Sequence, residues 1–316
     1  MAIVIDVLRH AAHAIPLVLS AIMILIFARC VFIWFSSYNL RDEIIANENT
    51  AVGVVFGGFI FSVGVAISAT VFGHLDVDGW SAAGETLVEG VLIVVLLRLS
   101  VWVNDILILP KFSIDRELCE DQNLGVAYCV VASCLASGLI LNGALSGFSD
   151  GGFYYGLLDV GIYWLVGQTL LVIAGRVYYR VSRYDIHHLI EYDDNVAAGL
   201  GYGAVLLALG IVLRATLVGA GKEVLVDELI ATSVLGVLGI AFITGVNFFT
   251  TKWILPNASY EREVEMKSNL AASAVIAGMT IAAALVTSVA IQRHEGDYEP
   301  DVETTPPAVA VAEIGQ

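Results

Sequence analysis

This sequence is short of charge. Only 15% of its 316 residues are charged, against 58% that are hydrophobic, a balance far outside that of soluble domains. Lys and Arg number 15 against 31 acids, for a formal charge of −16, and no basic stripe is present to grip a nucleic-acid backbone. The acids sit mainly in loops and near the C-terminus, where they read as a solvated surface. The four cysteines, Cys30, Cys119, Cys129 and Cys134, have neither metal-ligand spacing nor the pattern of a disulfide framework. Catalytic signatures are missing as well: no Ser/His/Asp or Cys/His arrangement, phosphate-cradling glycine loop, His–Glu zinc motif or nucleotide fingerprint. The sequence therefore assigns no enzyme activity, catalytic residue, cofactor or metal. The first apolar run has no small-residue cleavage site after it, and Arg29 ahead of Cys30 spoils a lipoprotein reading, so it is taken as a retained span.

What is present is apolar length. Eight runs, roughly 15–35, 51–73, 87–109, 124–146, 154–176, 196–218, 228–251 and 269–292, reach the ~18 residues that a bilayer span needs. An all-α integral membrane protein of eight transmembrane helices is expected, with the bilayer as partner. The runs repeat. Asn49, Asn123, Asn195 and Asn269 each stand where a loop meets a run. Five residues before them are Ile44, Leu118, Ile190 and Val264; nine before are Leu40, Ile114, Ile186 and Tyr260. Positions two, four, nine, thirteen and fifteen after each Asn hold only Gly, Ala or Ser. One helical hairpin has been used four times. A shift of 146 residues superposes Asn49 on Asn195, Asn123 on Asn269 and Pro110 on Pro256. Two tandem four-helix units, 1–146 and 147–292, followed by an acidic, disordered 293–316, are the expected organisation.

Each Asn is read as an N-cap for the helix it precedes. The Asn-bearing loops carry nine Lys/Arg and the opposite side three, so the positive-inside rule places those loops in the cytoplasm and both termini outside. All four hairpins then run the same way, which excludes an inverted repeat. On a helical wheel, positions two, nine and thirteen after the Asn fall at about 200°, 180° and 220°, while four and fifteen fall at about 40° and 60°. Two small faces per helix permit close approach on both sides, so the second, fourth, sixth and eighth helices are expected at the centre.

The third run is the polar one, with Glu89, Arg98, Asn104 and Asp105. Arg98 lies near mid-span, where charge is costly and faces protein or water. It is expected to meet a carboxylate, Asp105 first, then Glu89, then Asp159 of the fifth run. The second half has Leu235, Thr244 and Thr251 where the first has Glu89, Arg98 and Asp105, and it carries Asp159 and Gln168 instead. His74, Asp76 and Asp78 share a turn that can hold a divalent cation, although a plain turn accounts for them. His10 and His13, three apart, read as one solvated helix face.

The repeated Asn-x-Ala/Gly helix start, the small-residue span and the duplicated unit resemble the domain-of-unknown-function 350 family over about 15–292. That resemblance implies a bacterial inner-membrane protein and no established activity. Two functional classes stay open, with transport placed first. One is a transporter or channel-like protein for a small solute or ion, with the first-half charges lining a polar path. The other is a membrane scaffold or envelope-stress component recruiting a cytoplasmic partner. An intramembrane enzyme using Glu89, Asp105 or Asp159 is the weakest reading, and a homo-oligomer is left open.

Overall fold

The computed structural model describes residues 2–74, 79–109, 114–146, 152–182, 185–219, 225–253 and 260–292. Asp76, Asp78, Pro110, Pro256 and the acidic segment 293–316 lie outside these, as do the side chains of His10 and His13. Among the described residues there are helices and no strands. Eight are long: α1 (Ala2–Trp34), α2 (Thr50–Gly73), α3 (Gly79–Leu107), α4 (Leu124–Leu145), α5 (Phe153–Val181), α6 (Val196–Leu217), α7 (Leu225–Trp253) and α8 (Leu270–Ile291). All eight contain a stretch long and apolar enough to cross a membrane. The helices α4, α6 and α8 have 22 residues each, about 33 Å at 1.5 Å per residue and close to one hydrocarbon thickness. The helices α3, α5 and α7 have 29 each, so they tilt or project. Hydropathy placed the start of the third span at 87, whereas α3 begins at Gly79. Its first turns are small and polar, which a hydrogen-bonded helix tolerates and a hydropathy window does not register.

The even helices stand side by side in chain order, α2 on α4, α4 on α6 and α6 on α8. The odd helices form a second layer. There α3 lies on α2 and α4, α5 on α4 and α6, and α7 on α6 and α8, while α1 packs on α2 and most extensively on α3. The contacts within the even row follow one rule. The face two, nine and thirteen residues after an Asn meets the face four, eight and fifteen after the next Asn. A Cβ at Gly199 would collide with the backbone of Gly125, one at Gly210 with Ala136, and one at Gly138 would stand 2.7 Å from the Ser62 carbonyl. Lipid tails are as apolar as leucine, so this close backbone approach, rather than exclusion of water, is what holds the row together.

The expectation that every even helix is flanked on both sides holds for α4 and α6 only. Of their span residues 72% and 78% are buried, against 44% in α2 and 28% in α8. The row has two ends. At Gly64, which the sequence suggested as a close contact, a Cβ would meet nothing within 4 Å.

The loops are as regular as the spans. A short helix precedes each Asn: a π-helical turn at Asp42–Ala46, then α-helical turns at Ile114–Cys119, Ile186–Glu191 and Tyr260–Glu265. The residue just before each Asn, Glu48, Gln122, Asp194 or Ser268, has φ between 47° and 51°, the left-handed turn that reverses the chain. Each Asn Oδ1 then accepts from the backbone N–H three residues on, at 3.0–3.1 Å, capping its helix. The Nδ2 reaches further. Asn49 donates to the Leu118 carbonyl (2.8 Å), Asn123 to that of Ile190 (2.7 Å) and Asn195 to that of Val264 (2.7 Å). Each of these three Asn thus closes its own helix and ties the following hairpin to it. Asn49, Asn123 and Asn269 also donate to the carboxylate six residues before them, Glu43, Glu117 and Glu263.

Gly210→Leu should be destabilising by about 1–3 kcal/mol, as overpacking is in protein cores, whereas Gly64→Leu should leave the melting of the detergent-solubilised single chain unchanged. Equal losses in thermal melts would contradict the row. A second test concerns Glu117, whose carboxyl burial pushes above its ordinary 4.5, with the Asn123 amide only partly opposing the shift. A raised folded-state pKa favours the fold below 4.5 and withdraws that stability as pH rises through the folded value. Glu117→Gln keeps an oxygen for Asn123 and removes the ionisation. Its melting temperature should exceed wild type at pH 7 and converge on it toward pH 4.

Candidate functional site

The largest concentration of polar side chains within the spans lies where α3, α4 and α5 meet. The Asn104 Nδ2 donates to Ser137 Oγ (3.2 Å) and to the Ser133 carbonyl (3.3 Å). Ser137 Oγ donates to Gln168 Oε1 (3.0 Å), and Gln168 Nε2 donates back to Asn104 Oδ1 (2.5 Å). Three side chains from three helices close a ring of hydrogen bonds, and all three are buried. One turn away, Trp164 Nε1 donates to Ser100 Oγ (2.8 Å), which itself donates to the Leu96 carbonyl (2.9 Å). Unpaired polar groups are costly in a dry interior, so the ring fixes how α5 seats on α3 and α4. Its members are neutral and do not titrate near neutral pH. Their 146-residue counterparts are Thr250, Ala283 and Ile22, so this ring occurs once in the chain.

The remaining polar residues of α3 are dispersed. Among the described residues Arg98 is not paired with a carboxylate, contrary to the expectation from its sequence. Its guanidinium lies 5.3 Å from the centre of the Phe35 ring and donates to the Phe35 carbonyl at 3.4 Å. That carbonyl lies just past the last helical residue of α1, Trp34. The C-terminus of a helix carries unsatisfied carbonyls and partial negative charge, so it takes the place of the missing acid. Arg98 lies nine residues from the end of α3 at Leu107, about 13.5 Å at 1.5 Å per residue, and the long side chain carries the charge toward the membrane boundary. Arg176 repeats the device one hairpin on, with Nε donating to the Leu107 carbonyl at 2.9 Å. Asp105 is half-buried near the same end of α3. It feels Arg98 electrostatically without an ion pair or hydrogen bond among the described residues.

Glu89 belongs to the opposite end. It stands 3.9 Å from His74 Nδ1, while His74 Nε2 meets Glu85 at 3.1 Å. His74 thus turns to α3. Among the described residues no three His, Cys, Asp or Glu are grouped to hold a metal ion. Asp159 is half-buried in the second turn of α5, with no hydrogen bond or ion pair among the described residues. The five candidates therefore fall into four places, and only Asn104 enters a cluster within the membrane interior.

Sequence reasoning missed a second polar thread. Arg214 Nε of α6 donates to Asn142 Oδ1 of α4 (2.5 Å), and Asn142 Nδ2 donates to Ser68 Oγ (3.1 Å) and the Val65 carbonyl (2.7 Å) of α2. These residues stand nineteen after their Asn, as does Ser288, so a polar residue recurring at that position was the available signal. Also missed were the buried Glu228 and the acids six before three of the four Asn. In the loops, burial first and the Glu43 and Asp115 carboxylates next push the Cys119 thiol up to about 11. It stays protonated at neutral pH and is a poor nucleophile.

Comparison with known proteins agrees with this architecture. A curated relative, the UPF0719 transmembrane protein of Aquifex aeolicus (strain VF5), is 24% identical over 280 residues, covering 85% of this chain and 97% of the relative. No solved structure matches the chain. The family model described as Domain of Unknown Function (DUF350) matches twice, over residues 6–145 and 152–291. This chain, a multi-pass transmembrane protein, belongs to the DUF350 family and carries its unit in tandem duplicate.

Proposed function

We propose that the protein is a membrane scaffold whose row of Asn loops presents a docking face to a partner protein on the cytoplasmic side. The observation that carries this reading is the use made of polar groups within the spans. The Asn104–Ser137–Gln168 ring, the Ser68–Asn142–Arg214 thread and the two arginines on helix ends all join one helix to another. A carrier path needs Glu89, Arg98 or Asp105 on a wet cavity, whereas Glu89 lies beside His74 toward one end of α3 and Arg98 is held by the end of α1 at the other. The second reading, a transporter or channel for a small solute or ion, draws on Arg214, a half-buried cation inside a span.

The two readings separate in reconstituted vesicles. A scaffold leaves ion and small-solute flux at the level of protein-free vesicles. Flux that is abolished by Arg214→Leu or Gln168→Leu would replace it with the transport reading. If the ring is structural, Gln168→Leu should cost about 1–3 kcal/mol by leaving the buried Asn104 Oδ1 without its donor. Asn104→Leu combined with Gln168→Leu should recover much of that loss in thermal melts.

Orientation follows from the nine-to-three distribution of Lys and Arg between the two sides. A membrane-impermeant thiol reagent applied to intact cells should modify a cysteine placed at Asp78 and spare one placed at Glu48. The reverse labelling would invert the topology and move the docking face outside.

A further inference from the structure

The row of even helices ends in two faces that fit each other. Between α4 and α6 the contact is made by Gly125, Ala132 and Ala136 on one side and Gly199, Gly203 and Gly210 on the other. A Cβ at Gly203 would stand 3.0 Å from the Tyr128 carbonyl and 3.3 Å from Ala132 Cβ, and those at Gly199 and Gly210 would collide with Gly125 and Ala136. Moved by the 146-residue repeat, the first set becomes Ala271, Gly278 and Ala282 of α8, and the second becomes Gly53, Gly57 and Gly64 of α2. On α8 all three are exposed. On α2 none of the three glycines has an atom within 4 Å of where a Cβ would stand. The same two surfaces that lock together inside the chain are thus both uncovered at its ends.

The loops carry an independent sign of the same vacancy. Asn49, Asn123 and Asn195 each donate to the carbonyl five residues before the next Asn. No hairpin follows Asn269 among the described residues, and its Nδ2 keeps only the bond to its own Glu263 (2.9 Å), which Asn49 and Asn123 make in addition to the bond across. At the other end, the equivalent carbonyl belongs to Ile44, which receives no side-chain hydrogen bond among the described residues. The short helices tell the same story. Those at Ile114–Cys119, Ile186–Glu191 and Tyr260–Glu265 each touch the even helix of the preceding hairpin, α2, α4 and α6 in turn. Their side chains Leu118, Ile190 and Val264 are buried under it. The first, Asp42–Ala46, has no even helix before it among the described residues, and Ile44 is only half-buried.

From this continuity we infer that α8 of one copy docks on α2 of a second copy, head to tail. The contact reproduces the α4–α6 interface between chains, with Asn269 donating to the Ile44 carbonyl of the next molecule. The partner is therefore another copy of this chain in the same membrane orientation. A contact between two different surfaces is heterologous, and it closes into a ring or extends as an open row according to the rotation per step. The inference rests on the repeat and its packing, and it holds whether the protein is a scaffold or a carrier.

Two differently tagged copies expressed together test it, one carrying Gly57→Cys and the other Gly278→Cys, oxidised in native membrane vesicles. The in-chain control is Ala132→Cys with Gly203→Cys, the same pair of positions in the contact already formed. Wild type, with its native cysteines, sets the background. Head-to-tail docking gives a species carrying both tags, and none from Gly57→Cys alone or Gly278→Cys alone. Crosslinking of like with like would mean a two-fold contact and overturn the proposal. Absence of any intermolecular species, with the control formed, would mean that lipid covers both faces, and it too would overturn the proposal. Gly64→Leu added to the Gly57→Cys copy should abolish the mixed species while leaving the melting of the single chain unchanged. Persistence of that species would remove the glycine face from the contact.

Discussion

Everything in this molecule is hung on a carboxamide that bonds in two directions. The Oδ1 of each repeated Asn accepts one free N–H in the first turn of a transmembrane helix, and in three of four cases the Nδ2 holds a carbonyl of the next hairpin. A hydroxyl or carboxylate would serve as a cap, but neither donates two N–H bonds. That second donor turns a helix start into a joint between modules. The joint also requires an abrupt reversal of the chain, supplied by the left-handed residue before each Asn. Three of those four, Glu48, Gln122 and Ser268, are residues that rarely adopt that conformation, so the closed loop and its hydrogen bonds compensate the strain.

Above the loops, the spans solve a problem specific to lipid. Apolar side chains gain little by leaving a hydrocarbon solvent for a protein interior, so backbone proximity and polar bonds must supply cohesion. The even row uses both. Small faces bring α2, α4, α6 and α8 together, and the Ser68–Asn142–Arg214 thread stitches three of them at one level. The odd layer carries the individuality. The hydrogen-bonded ring around Asn104 and the two arginines on helix ends occur in particular places rather than at every repeat.

Much of this was legible before any coordinates. Four aligned Asn residues and five aligned small positions were enough for the hairpins, their common direction and the two contact faces of α4 and α6. The limit was in what a single helix can reveal about its neighbours. Asn was read as a cap because capping is local, while its bond to Leu118, Ile190 or Val264 depends on the adjacent hairpin. Arg98 was assigned a carboxylate because a helical wheel shows only the residues of its own helix. The acceptor it found is the end of another helix, an electrostatic feature without a residue type. The polar thread went unseen because Ser, Asn and Arg at one repeat position do not look alike, although all are polar. Gly64 and Gly210 occupy the same repeat position and read alike in sequence, and only the position of a helix within the row separates them.

The odd layer's individuality has an evolutionary reading. Two separate units meeting through α4 and α6 would associate according to their concentration in the membrane, and every copy would be constrained to carry the same side chains. Covalent fusion makes that meeting intramolecular, replacing bulk concentration with an effective one, on the order of millimolar for short flexible tethers. It also frees the two halves to differ. The ring joining Asn104, Ser137 and Gln168 spans the seam, taking two members from the first unit and one from the second. Identical subunits would have to place those residues in every unit, including where α1 has Ile22 and α8 has Ala283. Fusion thus lets one seam become polar and permanent while other surfaces remain free to keep the small-residue contact of the repeat.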